Sequence, residues 1–399
     1  SPAYVCITCT TSLYFHAMEI ARLVKQRPGG AKILVGGPHV SAVPEEAVQS
    51  GCFDYVFVGE AELSFASLLQ GQDPATIDGL AFGRDDGSVH LAPRGSFLKD
   101  LDEFPYPDYG LFDLPRYKLS RLHARQNPTV WIETSRGCPY DCGVCSKQVH
   151  GLTFRTKSAR RVLDEIEHLA ATFGVREFHI ADDCFGANRR RAAEICDGLI
   201  ERDLGVTWSC TNGIRVDSVT QELLLKMRQA GCHRVGFGIE TGSQEILDSM
   251  GKRISLEQVE RAVGMARKAG IETFGFFMLG FPDDTEQTMQ STIRLARKLP
   301  LDLAKASVIM PFPGCAIHEE YARKGLLSPP GDYRNYNVNL PARQVYRHPS
   351  LDWDVIEAYH RRFFRSFYFN PAYLLRRLVR AIKNRTLLVS IRTALSIDW

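Results

Sequence analysis

No apolar run in the 399-residue chain approaches the roughly 18–20 residues that cross a bilayer, so no spanning helix is read from the sequence. Nor does a basic start lead into an apolar core with a small-residue cleavage site, so no secretory signal is read. One-signed charge is scarce. The formal net charge is +3, too small to call for a nucleic-acid partner by itself. The eleven cysteines are spread too thinly for a small disulfide scaffold, and read as reduced thiols of a cytoplasmic protein. No nucleophile stands with a partner base in a recognisable pattern. What remains is an ordinary globular composition, 44% hydrophobic and 24% charged, long enough for two or three domains.

Against that plain background, Cys138, Cys142 and Cys145 stand out in the run Arg136-Gly137-Cys138-Pro139-Tyr140-Asp141-Cys142-Gly143-Val144-Cys145. On a continuous helix this spacing would place all three on one face. Gly137, Pro139 and Gly143 disfavour that helix, because glycine is flexible and proline lacks an amide hydrogen. A loop is expected instead. Three thiolates at this spacing can grip three irons of a 4Fe–4S cubane and leave the fourth iron open for a substrate. Two other readings stay open here: three cysteines buried in a core, and a zinc site completed by His150.

The chain enters an apolar strand almost at once, Tyr4-Val5-Cys6-Ile7, and a domain rarely opens inside a strand, so upstream sequence is expected. Further strands are read at Lys32-Ile33-Leu34-Val35, ending in Gly36-Gly37-Pro38-His39, and at Asp54 to Val58, ending in Gly59-Glu60. Helical spacing over 13–26 separates the first two, which implies a parallel sheet. Glycines just past strand ends let a ligand approach the backbone closely. Asp85-Asp86-Gly87 is a hairpin turn signal, and Phe104-Pro105-Tyr106-Pro107-Asp108 reads as an extended linker.

From about 124 to 320, strands are expected over 129–134, 177–181, 206–211, 234–239, 273–279 and 304–309, with helices over 158–173, 188–203, 255–269 and 284–298. Six strand–helix units suggest a full or partial parallel barrel, whose working residues lie at the C-terminal strand ends. The triplet follows the first strand. Asp182 and Asp183 follow the second, Asn212 and Arg215 the third, and Glu240, Thr241, Gly242 and Ser243 the fourth. Singly, such residues are more often loop residues or helix caps, and Asp182 and Ser243 could each serve as a cap. Jointly, they point polar groups toward one cavity.

With these residues the chain resembles the radical S-adenosylmethionine (SAM) enzymes, over roughly 124–320. Val144 stands where the family usually carries an aromatic residue. The resemblance implies that Cys138, Cys142 and Cys145 hold a 4Fe–4S cluster and that SAM chelates its open iron. One-electron reduction would then yield a 5′-deoxyadenosyl radical that abstracts a substrate hydrogen. It further implies Asp182 and Asp183 near the SAM ammonium, Arg215 facing the SAM carboxylate, and Glu240, in the segment ending at Ser243, on the ribose hydroxyls. The strand from Gly275 to Gly280 would pack on the adenine.

The start of the chain resembles the second half of a cobalamin-binding domain, which implies cobalamin contacts from Thr8, Thr10, Gly36, Gly37, His39 and Gly59. The Asp-x-His-x-x-Gly segment that supplies a cobalt ligand in some such domains is absent. Together the two resemblances point to the cobalamin-dependent class of radical SAM enzymes. The expected architecture is α/β. A partial Rossmann-like (flavodoxin-like) cobalamin-binding domain spans 1–72, and a linker with a hairpin spans 73–123. A partial (β/α)6 radical SAM core follows over 124–345, then a basic helical region over 346–399.

That last region holds no acidic residue from Ala358 to Ile397, while Arg361, Arg362, Arg365, Arg376, Arg377, Arg380, Lys383, Arg385 and Arg392 alternate with aromatics and leucines. Such a pattern fits peripheral contact with an anionic membrane, suited to a lipid or tetrapyrrole substrate, or a helix packed on the barrel with a solvated basic face. The expected partners are a small-molecule substrate and an electron donor such as flavodoxin or ferredoxin, with no nucleic acid. The expected reaction is methyl transfer to an unactivated carbon. Oxidative cyclisation or rearrangement without methylation is the alternative, and a non-catalytic iron–sulfur or zinc protein is the reading from another class.

Overall fold

The computed structural model describes residues 2–95, 97–120, 123–328, 332–337 and 341–383. The chain divides into two compact units. The first comprises Ser1–Lys99, Gly137–Thr153 and Met310–Pro349; the second comprises Asp100–Arg136, Phe154–Ile309 and Ser350–Trp399.

The first unit opens with β1 (Tyr4–Thr8), α1 (Tyr14–Lys25), β2 (Lys32–Gly36), α2 (Pro38–Ala42), α3 (Pro44–Gln49), β3 (Tyr55–Phe57), α4 (Glu62–Leu69), β4 (Leu80–Gly83) and β5 (Val89–Leu91). They form one sheet in the order β1-β2-β3-β4-β5. The first three strands run parallel, and the hairpin β4–β5 adds antiparallel to β3. Its turn places Gly87 at φ 81, a conformation the Asp-Asp-Gly sequence anticipates. Ile33, Leu34 and Val35 are all at most 2% exposed. A central parallel strand covered on both faces explains that unbroken apolar run. Leu34, Phe57, Leu68, Ile77 and Leu80 form the local core.

The second unit is built on β6 (Thr129–Ile132), β7 (Ser135–Arg136), β8 (Arg155–Thr156), α5 (Ala159–Phe173), β9 (Glu177–Ile180), α6 (Arg189–Arg202), β10 (Thr207–Ile214), α7 (Gln221–Gln229), β11 (Cys232–Glu240), α8 (Gln244–Ser249), α9 (Leu256–Lys268), β12 (Glu272–Leu279), α10 (Glu286–Lys298) and β13 (Leu303–Val308). Six parallel strands lie in the order β13-β12-β11-β10-β9-β6. The helices obey ordinary stop and start chemistry. Ser158 caps α5, Gly174 ends it at φ 65, and Ser255 with Gln258 forms a capping box on α9.

At the strand starts, the buried Glu177 accepts from the rings of His179 (3.1 Å) and His233 (2.9 Å), and from the amides of Arg125 (2.7 Å) and Gln126 (2.8 Å). Burial pushes this carboxyl up, but the histidine and amide hydrogen bonds outweigh it and hold it well below the usual carboxylate range. This network is structural, because it satisfies a charge inside the barrel floor.

Three further helices follow among the described residues. They are α11 (Ala316–Arg323) in the first unit, and α12 (Trp353–Tyr368) and α13 (Pro371–Lys383) in the second. Helix α12 packs its aromatic face inward, with Ile356, Phe363 and Phe367 at most 1% exposed. The Tyr368 hydroxyl donates to the Ala304 carbonyl at 2.8 Å. On α13 the apolar side is outward. Leu374, Leu375, Leu378, Val379 and Ile382 are between 46% and 63% exposed, while Tyr373 is buried. Helix α12 is thus a packed helix, while α13 packs through Tyr373 and leaves its leucines outward. Arg385, Arg392 and the rest of 384–399 lie outside the described residues. Among the described residues no helix is long and apolar enough to cross a membrane.

Candidate active site

The cysteine triplet sits in a loop within the first unit, as the glycines and proline predict. Gly137 has φ 77, and a Cβ there would run into the carbonyl of Thr153 and lie 3.1 Å from that of His150. Only glycine lets the loop close on itself here. The Cys138 amide donates to Gly151 O at 3.4 Å, the Cys145 amide to Cys142 O at 3.1 Å, and the Ile317 amide to Gly143 O at 3.3 Å. Cys142 is buried, Cys138 half-buried and Cys145 exposed. Among the described residues no three His, Cys, Asp or Glu side chains converge tightly enough for a single metal ion. His150 does not turn toward a zinc site. Its Nδ1 pairs with Glu60 Oε1 at 2.7 Å. Three soft sulfur donors on irregular backbone suit an iron–sulfur cluster better than one zinc.

The strand ends of the first unit form a cradle. In the register of β1 with β2, Thr8 stands opposite Gly36. Gly37 adopts φ 104, and a Cβ on it would lie 2.8 Å from both Cys9 O and Thr8 Oγ1. Gly59, at φ 89, donates its amide to Ser41 Oγ at 2.9 Å. Thr10 is exposed and shares a 3.1 Å hydrogen bond with Ser12. His39 is 1% exposed, with its ring 4.1 Å from Tyr14 and 4.5 Å from Tyr333 between centroids. Its Nδ1 meets Thr11 Oγ1 at 3.2 Å, while Nε2 is buried without a hydrogen-bond partner. Burial lowers its pKa to about 4, so the ring is neutral. A side-chain-free edge beside small hydroxyls and an unspent ring nitrogen fits a large cofactor rich in amides.

The strand ends of the second unit sort the expected SAM residues. Asp182 is fully buried and accepts from the Thr134 amide (2.6 Å), the Thr134 hydroxyl (2.6 Å) and the Ser135 hydroxyl (2.5 Å). Burial pushes this carboxyl up, opposed by those donors and by Arg191. Asp182 thus ties β9 to the end of β6 and caps no helix, whereas Asp183 is exposed. Arg215 forks onto Asp217 at 3.0 and 2.9 Å and donates to Lys252 O at 2.8 Å. Ser243 precedes α8 without a side-chain cap bond.

Glu240 ends β11 at φ 70, a left-handed conformation that costs a residue with a side chain about 1–3 kcal/mol. One oxygen pairs with Lys252, and the other carries no hydrogen bond among the described residues. It is free to accept a hydroxyl. Phe274 and Phe276 stack at 4.4 Å on β12 and give the sheet an apolar wall.

Sequence reasoning missed Lys252, twelve residues beyond Glu240, because no spacing rule marks it. It also missed the role of Glu60, although the Val58-Gly59-Glu60 turn was visible. His150 drew attention only as a zinc ligand.

Two family descriptions match the chain. The description "Radical SAM superfamily" matches residues 132–296, and "B12 binding domain" matches 1–69. The chain is 32% identical over 381 residues to an uncharacterized methyltransferase, PH0819, of Pyrococcus horikoshii, covering 94% of this chain and 80% of that protein. It is 28% identical to the anaerobic magnesium-protoporphyrin IX monomethyl ester cyclase of Rubrivivax gelatinosus, covering 91% and 66% respectively. Among solved structures, the radical SAM methyltransferase TsrM of Kitasatospora setae superposes with a TM-score of 0.71 at 20% identity, over 91% of this chain and 80% of that one. The cobalamin-dependent radical enzyme OxsB gives 0.74 at 17%, over 98% and 63%. These likenesses at low identity concern the fold. Carried by the 32% relative and the two domain matches, the assignment is plain: this chain belongs to the radical SAM enzymes that carry a B12-binding domain.

Proposed function

We propose that this protein is a cobalamin-dependent radical SAM enzyme that modifies an unactivated carbon by methyl transfer, on a hydrophobic or lipid-like substrate. The observation that carries the reading is the triplet Cys138, Cys142 and Cys145 on a non-helical loop, a donor set that leaves one iron of a cubane unligated. When bound, the reduced cluster with SAM supplies hydrogen abstraction, and cobalamin supplies a methyl carrier.

The remaining work belongs to the chain. Asp183, exposed after β9, offers a carboxylate to the SAM ammonium; buried Asp182 supports it by fixing the strand end. Glu240 offers its unpartnered oxygen to the ribose hydroxyls, while Lys252 holds the other. Arg215, held by Asp217, supplies positive potential for the SAM carboxylate, and Ser243 continues that polar turn. Thr8, Thr10, Gly36, Gly37, His39 and Gly59 line the strand edge for cobalamin. The outward apolar side of α13, with arginines on the same helix, supports peripheral contact with an anionic membrane. A one-electron donor of the flavodoxin or ferredoxin type completes the cycle.

The match to a tetrapyrrole cyclase favours a second reading, oxidative cyclisation without added carbon. Product mass separates the two, since methylation adds one carbon. The test of the shared chemistry is anaerobic reconstitution with iron and sulfide, followed by cobalamin titration and SAM cleavage under dithionite. The expected result is a four-iron cluster, bound cobalamin absorption and 5′-deoxyadenosine, with the cluster lost in Cys142→Ala. An intact cluster and undiminished deoxyadenosine in Cys142→Ala overturns the reading.

A further inference from the structure

The stretch that follows the cysteines is bolted to the strand ends proposed for cobalamin. Glu60, the residue after the Gly59 turn of β3, pairs through Oε1 with His150 Nδ1 at 2.7 Å, and only 9% of the Glu60 side chain is exposed. Arg94 Nη2 donates to Gln148 Oε1 at 3.0 Å and to Ser41 O at 3.1 Å. Ser41 in turn accepts from the Gly59 amide. Gln148 also donates to Gly314 O at 3.1 Å, where a side chain on Gly314 would collide with Gln148 and Ala42. Backbone passes close as well. A Cβ on Gly59 would sit 3.6 Å from Val149 O. Gln148 through Arg94, Val149 by backbone proximity and His150 through its ring thus meet the segment of Ser41, Gly59 and Glu60. All of these groups belong to the first compact unit, as do the three cysteines.

We infer that Glu60 and Arg94 are positioning residues that couple the cluster loop to the cobalamin edge, so that occupancy of one site steadies the other. The inference rests on the function proposed above. Its physical basis is short. Cobalamin seated on the Gly36-Gly37 and Gly59 turns would order the strand ends that carry Glu60 and Ser41. Their bonds would then restrain residues 148–150, only three to five positions beyond Cys145. Charge-assisted bonds of this length, with the Glu60 side chain 9% exposed, are stiff enough to transmit such order. The coupling must be reciprocal, because linkage between two binding equilibria is symmetric.

The test uses the full chain reconstituted with its cluster. Iron release to a chelator is timed with and without hydroxocobalamin, and cobalamin affinity is measured with and without the cluster. Wild type should show slower iron loss with cobalamin, by about fivefold or more, the low end of ordinary coupling between sites. Cobalamin should bind more tightly to the cluster-loaded protein by a comparable factor. In Glu60→Ala the protection should fall toward unity while iron stoichiometry stays at the wild-type level, and Glu60→Gln should keep part of it. Should Glu60→Ala bind cobalamin too weakly to read, His150→Ala removes the same bond from the loop side and carries the same expectation. Full protection in a variant that lacks the bond overturns the inference, as does a wild type that binds cobalamin without protecting its iron. A wild type that binds no cobalamin overturns the proposed function along with it.

Discussion

Acid should loosen the first unit through the His39 ring. His39 is 1% exposed, lies between Tyr14 and Tyr333, and has a pKa lowered from 6.5 to about 4 by burial. The unfolded chain therefore binds a proton between those values that the folded chain refuses. Stability owed to the neutral ring is complete above 6.5 and is lost as the pH falls toward 4. At ~1.4 kcal/mol per pH unit across that window, the loss is ~2 kcal/mol by pH 5 and ~3 kcal/mol below pH 4. His39→Gln keeps a polar side chain and removes the titration. The assay is amide hydrogen exchange of Ile33, Leu34 and Val35 in β2, corrected for intrinsic exchange rates, at pH 7.5 and pH 5. Buried His233 and half-buried His318 and His360 also have pKa values lowered by desolvation, but they are common to both proteins. The difference between the two proteins isolates His39. Equal loss of protection in wild type and His39→Gln refutes the reasoning.

Two further expectations follow from the strand ends. Gly37→Ala forces a side chain onto φ 104 within 2.8 Å of Cys9 O and Thr8 Oγ1, so thermal melting should fall by an amount equivalent to about 1–3 kcal/mol, with cobalamin absorption lost from the purified protein. Glu240→Gln exchanges a charged acceptor for a neutral one while keeping the Lys252 contact, so SAM affinity by equilibrium dialysis should weaken about tenfold with the iron content unaltered.

Particular residues show how far the sequence could be read. The six barrel strands and their helices follow apolar periodicity and capping chemistry, which act over a few residues and survive any packing. The triplet was legible as a loop because Gly137, Pro139 and Gly143 refuse a helix locally. Asp182 and Asp183 were legible only as a pair. Which of them turns inward depends on Thr134 and Ser135, forty-eight and forty-seven positions away. The basic tail carried one composition along its length, yet α12 buries its aromatics against β13 and α10, while α13 buries Tyr373 and exposes its leucines.

By itself, then, the amino-acid order determined the alternation of strands and helices, the three thiols and their spacing, and the glycines that leave strand edges bare. Tertiary structure decided the partnerships. Glu60 meets His150 across ninety positions, and Lys252 reaches back to Glu240. Local preference is written in neighbouring residues, whereas a charge finds its partner only when distant segments have packed and excluded the water that would otherwise satisfy it.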